Sequence, residues 1–101
     1  MEQENKRLIP FRKNKMWGFS NERKKITINC KYEIVNQFFE GLASVKKNGK
    51  YGYIDTLGKE TIPFYFEDAW KFSNGFARGK KMASGELLIN LEMIFYPAIM
   101  I

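Results

Sequence analysis

The sequence repeats itself with a fixed period. When residues 8–47 are laid over residues 42–81, identical residues coincide at many positions, and Gly18, for example, falls on Gly52. Aromatic residues also replace one another in this alignment, as Trp17 and Tyr51 do. A fixed period of this length is typical of repeat architectures, in which each unit buries its apolar face against the next unit.

Each unit is predicted to be built around a β-hairpin. In the second copy, alternating apolar and polar residues at 43–47 and 50–55 flank Asn48-Gly49, a dipeptide that favours a type I′ hairpin turn. A two-residue turn at this place pairs Lys46 with Tyr51 across the hairpin, so that a basic side chain lies beside an aromatic ring.

The third strand of the unit is predicted at 59–64, after a turn over 55–58 that has glycine in its last position. Because Pro63 has no backbone N–H to donate to a central ladder, we expect the strand to end there. Residues 65–75 are then expected to cross to the next unit, with a turn over 72–75.

The outer copies depart from this plan. In the first copy the hairpin turn is Asn14-Lys15, which lacks the glycine, although asparagine tolerates the left-handed conformation. The third copy begins at 76–81 and then loses the motif, because Gly85-Glu86 stands where an aromatic–glycine pair belongs. Residues 87–92 are compatible with a strand, whereas 93–101 match no repeat position.

These patterns predict an all-β fold of tandem antiparallel β-meander or hairpin repeats, arranged as a short β-repeat stack or, alternatively, as a partial propeller. The predicted organisation is a polar N-terminal tail at 1–7, repeat units at 8–41 and 42–75, and a degenerate third repeat with an apolar C-terminal segment at 76–101. We expect that C-terminal segment to cover the repeat core in cis or to join a second copy in trans.

The composition argues against several functional classes. The chain has no histidine and one cysteine, Cys30, which removes the commonest general base and metal ligand. We therefore expect no catalytic site, no metal and no cofactor, and Cys30 is expected to pack as a small buried hydrophobe. The N-terminus lacks the apolar region of a secretory signal, and the apolar stretch 87–101 is short of the roughly 20 residues that a membrane span needs. A cytoplasmic location without membrane partners is expected.

Four segments carry a resemblance to a known family, the WG repeat, also called the KWG repeat: Met16-Trp17-Gly18-Phe19, Lys50-Tyr51-Gly52-Tyr53-Ile54-Asp55, Gly41-Leu42-Ala43-Ser44-Val45 and Gly75-Phe76-Ala77. The resemblance covers about residues 8–82. It implies an all-β structure, a mainly bacterial distribution and a role as a binding or scaffold module without catalytic activity.

The candidate binding surface combines the repeat aromatics, the cations beside them and one tryptophan without a counterpart: Arg12, Trp17, Phe19, Lys46, Tyr51, Tyr53 and Trp70. Such rings either pack between repeats or form an exposed row between basic groups, which suits stacked bases and equally a sugar or a peptide. Trp70 replaces Asn36 of the first copy, and it is either an interface anchor or a residue of local loop packing.

Charge is unevenly distributed. Residues 1–50 contain twelve Lys or Arg and five Asp or Glu, a charge of +7, whereas residues 51–101 contain five and six, a charge of −1. Arg23-Lys24-Lys25 is either a basic patch or a solvated turn. We expect a module for protein–protein interaction or self-association, whose partner is an unidentified protein or a second copy. The alternative is weak nucleic-acid binding through the basic, aromatic-rich N-terminal half, which the scattered lysines disfavour.

Overall fold

The computed structural model describes residues 7–81, 85–90 and 95–97, which form eleven strands in three antiparallel sheets. The first sheet contains β1 (Ile9–Lys13), β2 (Met16–Ser20) and β3 (Ile26–Tyr32). The second contains β4 (Ile34–Val35), β5 (Leu42–Lys47), β6 (Lys50–Asp55) and β7 (Glu60–Phe66). The third contains β8 (Asp68–Ala69), β9 (Phe76–Lys81), β10 (Gly85–Asn90) and β11 (Phe95–Pro97). The predicted all-β fold of tandem repeats is confirmed, and in this part of the chain no helix is long and apolar enough to cross a membrane.

The hairpin register follows the prediction. Lys46 lies opposite Tyr51, and Asn48 and Gly49 have φ angles of 53° and 81°, as a type I′ turn requires. The first hairpin adopts the same turn without glycine, since both residues of Asn14-Lys15 have positive φ angles, 54° and 71°. The glycine is therefore favourable at this turn but not required.

In the first two units, the turn after the second strand is held by one side-chain oxygen. Asn21 Oδ1 accepts the backbone N–H groups of Arg23 and Lys25 at 2.8 and 3.0 Å, and Asp55 Oδ1 does the same one repeat later. The turn predicted at 55–58 is thus confirmed. The basic triplet of the first copy is an exposed part of this turn, in agreement with the solvated-turn interpretation.

The third strand runs further than the sequence predicts. β7 passes through Pro63 and ends at Phe66, so the strand end predicted at Pro63 is wrong. Tyr51 pairs with Phe66 and Tyr53 with Ile62, which leaves residues 63–65 as a bulge. Because bulged residues do not take part in the regular ladder, the missing N–H of proline is tolerated there.

This bulge explains why a glycine follows the repeat aromatic. A Cβ on Gly52 would lie 2.7 Å from the carbonyl oxygen of Ile62 and 2.8 Å from the ring of Phe64. A Cβ on Gly18 would meet the backbone of Ile28 and Asn29 in the same way. The glycine lets the bulged strand of its own sheet approach closely.

Over its described residues, the third sheet has neither the bulge nor the glycine that faces it. Its hairpin pairs Lys81 with Gly85, so three residues separate the two strands instead of two, and Leu87 lies opposite Gly79. β11 pairs regularly with β10 over Phe95–Pro97. Leu87 occupies the position that Gly52 has in the second sheet, where the bulge lies opposite the glycine. The third copy has lost the sequence motif but keeps the sheet.

The sheets stack face to face in chain order. The last two strands of one sheet pack on the first two of the next, so that β2 and β3 contact β4 and β5, and β6 and β7 contact β8 and β9. The core between the first and second sheets is formed by Phe19, Ile28, Tyr32, Ala43, Val45 and Ile54. The core between the second and third sheets is formed by Leu42, Tyr53, Ile62, Phe66, Ala69, Phe72, Ala77, Leu87 and Ile89.

The same edge-to-face ring contact recurs in both cores. The ring centres of Phe19 and Phe38 are 4.9 Å apart, and those of Tyr53 and Phe72 are 5.0 Å apart. Since each ring of the second pair follows its counterpart by one full period, the packing between units repeats as the sequence does. The second sheet begins at Ile34 and the third at Asp68, each eight residues before the start of the corresponding sequence repeat at 42 or 76.

A polar contact also links the first two sheets. Tyr32 Oη donates to Glu60 Oε2 at 3.0 Å, and Lys47 Nζ lies 2.8 Å from the same oxygen. The hydrogen bond from Lys47 lowers the pKa of Glu60, against a smaller opposing effect of burial. Burial, together with the bond to Glu60, raises the pKa of Tyr32.

Two further predictions concern single elements. Cys30 is half-buried, and its Sγ donates to the carbonyl oxygen of Phe11 at 3.4 Å, so it does not pack as the small buried hydrophobe that we expected. The C-terminal segment contributes β10 and β11 to the third sheet. Residues 91–94 and 98–101, on which the rest of that prediction falls, lie outside the described residues.

Candidate protein-binding surface

The outer face of the third sheet exposes positions that are buried in the preceding sheet. Leu42 is 4% exposed beneath the third sheet, whereas Phe76, its counterpart one repeat later, is 41% exposed. Arg78 stands where Ser44 is buried, and Leu88, across the ladder from Arg78, is half-buried. The face that receives a neighbour in the second sheet is therefore mixed apolar and basic in the third.

Trp70 has its backbone fixed from two sides. Its N–H donates to the carbonyl oxygen of Arg78 at 2.9 Å, the bond that Asn36 makes to Ser44 one repeat earlier. Its own carbonyl oxygen accepts the hydroxyl of the buried Tyr53 at 2.6 Å. The backbone of Trp70 is thus anchored, and its indole is 40% exposed to solvent.

Cations lie over the exposed rings. The guanidinium carbon of Arg78 is 4.8 Å from the centre of the Trp70 ring, and Arg78 Nη2 is also 3.8 Å from a carboxylate oxygen of Glu86. Lys71 Nζ is 4.8 Å from the centre of the 38% exposed Phe39 ring. Such stacking holds long basic side chains beside aromatic ones. We call the group formed by Phe39, Trp70, Lys71, Phe76, Arg78 and Leu88 the Trp70 surface.

Two open grooves meet at Trp70 and Lys71. One, of about 360 Å³, is lined by residues of β9 and β10, including Phe76, Arg78 and Leu88. The other, of about 510 Å³, runs toward the second sheet and is lined by Tyr51 and Asp68 among others. Trp70 therefore stands between a mainly apolar groove and a mixed one.

The tyrosines near this surface are held in their protonated form. Burial raises the pKa of Tyr53, and burial together with the negative charge of Asp68 raises the pKa of Tyr51. Since an unperturbed tyrosine already titrates near pH 10, both remain neutral hydrogen-bonding groups at physiological pH. They contribute structure and polar contacts instead of proton transfer.

The predicted basic–aromatic pairs exist. The guanidinium carbon of Arg12 lies 6.0 Å from the centre of the Trp17 ring, and Lys46 Nζ lies 5.7 Å from the centre of the Tyr51 ring. Trp17 and Tyr51 are half-buried. Tyr51 shares a groove with Trp70, whereas Arg12 and Trp17 belong to the first sheet and line neither groove.

Two predicted surface residues lie in the core. Phe19 and Tyr53 have no exposed area, so the interpretation as an exposed row of rings fails for them and the packing interpretation holds. The physical reason is the stacking order, because the face that carries both rings is covered by the following sheet. Neither ring is accessible to a partner.

Sequence reasoning identified Trp70 but missed its neighbours. Phe39, Lys71, Phe76, Arg78 and Leu88 complete the surface. A signal was present, because the third copy replaces a leucine by phenylalanine and a serine by arginine at positions that pack in the second copy. These replacements indicate an exposed surface only when it is known which face of each sheet packs on the next sheet.

The chain matches the family described as the WG containing repeat at residues 17–51 and 51–81. It belongs to the WG repeat family. Each matched WG repeat begins at the aromatic residue that precedes the glycine under the bulge, Trp17 in one and Tyr51 in the other. The second match ends with β9, before the hairpin strand from which the motif is lost. The chain matches no curated protein and no solved structure. It is a repeat module.

Proposed function

We propose that this WG repeat module is non-catalytic and binds other proteins through the Trp70 surface. The observation that carries the proposal is at the outer face of the third sheet. There Phe76 is exposed, whereas Leu42, its counterpart one repeat earlier, is buried. The outer face of the third sheet presents aromatic and aliphatic groups beside arginine.

The composition of the Trp70 surface resembles that of protein interfaces. Tryptophan and arginine are enriched among the residues that dominate binding energy, and the guanidinium of Arg78 lies over the Trp70 ring. Their backbones are joined by a hydrogen bond of 2.9 Å. A partner would therefore meet rings that lose little conformational freedom on binding, which favours affinity.

A non-catalytic role is supported by the chemistry of the residues. The sequence contains no histidine, and the raised pKa values of Tyr32 and Tyr53 keep these hydroxyls protonated. The thiol of Cys30 is half-buried against a backbone carbonyl. Neither tyrosine is therefore poised as a nucleophile or as a base near neutral pH.

Peptide selection tests the proposal. Peptides from a random displayed library are selected on the full chain and counter-selected on the Trp70→Asn variant. This substitution introduces the residue that the first repeat has at the same position, so the sheet is expected to remain folded. Leu57→Ala is the matched control, because Leu57 is 88% exposed in a turn away from this surface.

We expect apolar or aromatic peptides that lose affinity on the order of 30-fold with Trp70→Asn, the effect of losing about 2 kcal/mol at an interface hot spot. Leu57→Ala should leave their affinity unchanged. Failure to recover any peptide that discriminates the native chain from Trp70→Asn would refute the Trp70 surface.

Nucleic-acid binding through the basic first half is the competing function, and the charge of +7 favours it. Fluorescence anisotropy of a labelled single-stranded RNA distinguishes the two. At physiological salt we expect no binding tighter than about 10⁻⁶ M, the usual limit for non-specific contacts. Submicromolar binding that weakens steeply with salt would establish RNA as the ligand instead.

A further inference from the structure

A carboxylate of the second sheet holds a turn of the third sheet. Glu40 lies in a two-residue turn before β5, and its carboxylate accepts the backbone N–H groups of Asn74 at 2.6 Å and Gly75 at 2.9 Å. Asn74-Gly75 is the counterpart turn one repeat later, before β9. Because one carboxylate binds two successive N–H groups through charge-assisted hydrogen bonds, it fixes the position of one turn relative to the other.

Glutamate is an unusual first residue for this turn. The φ angles of Glu40 and Gly41 are 54° and 81°, the left-handed conformation of a type I′ turn. Three other turns among the described residues have two successive positive φ angles, and all three begin with asparagine: Asn14, Asn48 and Asn74. Asparagine tolerates this conformation better than a longer side chain does. The local preference is therefore asparagine, and the contact with the third sheet accounts for the glutamate.

The two turns carry members of the Trp70 surface. Phe39 directly precedes Glu40, and Phe76 directly follows Gly75. Both rings are exposed, and they come from different sheets. A second contact joins the sheets here, because Nζ of Lys71, which follows β8, lies 4.8 Å from the centre of the Phe39 ring. The shape of the Trp70 surface thus depends on how the second and third sheets are held together.

The two grooves at this surface also span both sheets. Phe39 lines the groove of about 510 Å³ and Phe76 lines the groove of about 360 Å³, whereas Trp70 and Lys71 line both. Since the grooves meet at shared residues, one extended segment can lie in both. A fixed spacing between the grooves favours such a ligand, because less conformational freedom is lost on binding.

We infer that the partner of the Trp70 surface is an extended protein segment with one apolar side chain beside Phe39 and another beside Phe76, and that Glu40 is the positioning residue that sets the spacing between these two places. This inference rests on the proposed function of the Trp70 surface. A partner that contacts the third sheet alone does not need Glu40. Glu40 acts through the turn of the third sheet and is not required to touch the partner.

The test compares Glu40→Asn with Glu33→Gln in the full chain. Asparagine is shorter than glutamate by one methylene group and has one acceptor oxygen, so Glu40→Asn breaks the paired contact but suits the turn. These two effects on stability oppose each other, and we expect only a small change in the urea midpoint. Glu33→Gln is the matched control, because Glu33 accepts a single turn N–H, that of Gly49 at 3.3 Å, and lines neither groove.

The first measurement needs no partner. Nuclear Overhauser contacts between the ring protons of Phe39 and the side chain of Lys71 report how the second and third sheets are held at this surface. We expect these contacts to weaken in Glu40→Asn and to persist in Glu33→Gln. Contacts that are equally strong in both variants would overturn the positioning role of Glu40.

The second measurement is the affinity for peptides selected on the native chain and counter-selected on Trp70→Asn. We expect Glu40→Asn, Phe39→Ala and Phe76→Ala each to weaken binding at least tenfold, with Glu33→Gln unchanged. Peptides that bind Glu40→Asn and Phe39→Ala as tightly as the native chain would contact the third sheet alone, which overturns the inference and leaves the proposed function intact. If no peptide discriminates Trp70→Asn, the proposed function fails and the inference fails with it.

Discussion

The glycines that follow the repeat aromatics should be the least replaceable residues of their size in this chain. At Gly18, an added methyl group would lie 2.5 Å from the carbonyl oxygen of Asn29 and would also meet that of Ile28. At Gly52, the obstacles are the Ile62 carbonyl oxygen and the Phe64 ring. Backbone atoms cannot move without displacing the bulge, so Gly18→Ala and Gly52→Ala must distort the third strand of their sheets.

The expected magnitude is at the upper end of overpacking effects. Forcing one extra methyl group into a well-packed site costs typically about 1–3 kcal/mol, and we expect about 3 kcal/mol for Gly18→Ala and about 2–3 kcal/mol for Gly52→Ala. Gly79→Ala is the internal comparison. There the nearest atom, at 2.7 Å, is the terminal methyl of Ile89, which can rotate away, so we expect about 1 kcal/mol.

Urea unfolding of the three variants, followed by tryptophan fluorescence, gives the free energies of unfolding. For a domain of about this size, each 1 kcal/mol also lowers Tm by roughly 4–8 °C, so thermal scans provide a second readout. Gly49→Ala is the matched control, because Gly49 has a positive φ and no neighbour within 4 Å; it reports turn strain alone. The bulge explanation would be refuted if Gly18→Ala and Gly52→Ala left the free energy of unfolding almost unchanged, or if Gly79→Ala lowered it more than they do.

Two polar contacts lead to further predictions. Tyr53→Phe removes the donor to the Trp70 carbonyl and should lower the free energy of unfolding by about 1 kcal/mol, and an unchanged urea midpoint would contradict this. The pKa of Glu60 is lowered in the folded chain, and the largest cause is the hydrogen bond from Lys47. The ionised Glu60 therefore stabilises the fold at pH values above the pKa of an unfolded glutamate. This stabilisation is lost as the pH falls through the folded-state pKa. Unfolding measured between pH 7 and pH 3 should therefore show a larger loss for the native chain than for Glu60→Gln, and equal losses would argue against the Lys47–Glu60–Tyr32 contact.

Local features of the fold were predictable because they depend on neighbours in the sequence. The period of the sequence predicted repeated units, and Asn48-Gly49 predicted both the turn and the pairing of Lys46 with Tyr51, which the structure confirms. The same turn geometry holds at Asn14-Lys15. A two-residue hairpin leaves only one register, so pairing follows directly from the turn.

The path of the third strand was not predictable from its own residues. Pro63 suggests a strand end, but the strand continues because the bulge places proline outside the regular ladder. The glycine after each aromatic is the trace of this bulge in the sequence. Its cause is the close approach of the bulged strand to Gly18 and Gly52, and Leu87 stands at the same position where β11 pairs regularly over Phe95–Pro97.

The candidate site depended on the stacking order, which no local pattern contains. In the sequence, Phe19, Tyr53 and Trp70 cannot be distinguished by their surroundings, because each is an aromatic residue near basic residues. The first two are covered by the following sheet, whereas Trp70 belongs to the outer face of the third. The neighbours that make Trp70 a surface, Phe76 and Arg78, come from a repeat whose motif is lost.

The proposal that the Trp70 surface binds protein is tested most directly by the two tryptophan side chains of the chain. In the ¹⁵N-labelled protein, the indole N–H groups of Trp17 and Trp70 give separate signals, and a selected peptide is titrated against both. The account predicts a saturable shift of the Trp70 indole with that of Trp17 unchanged. A shift of Trp17 alone, or of neither indole at saturating peptide, would contradict it.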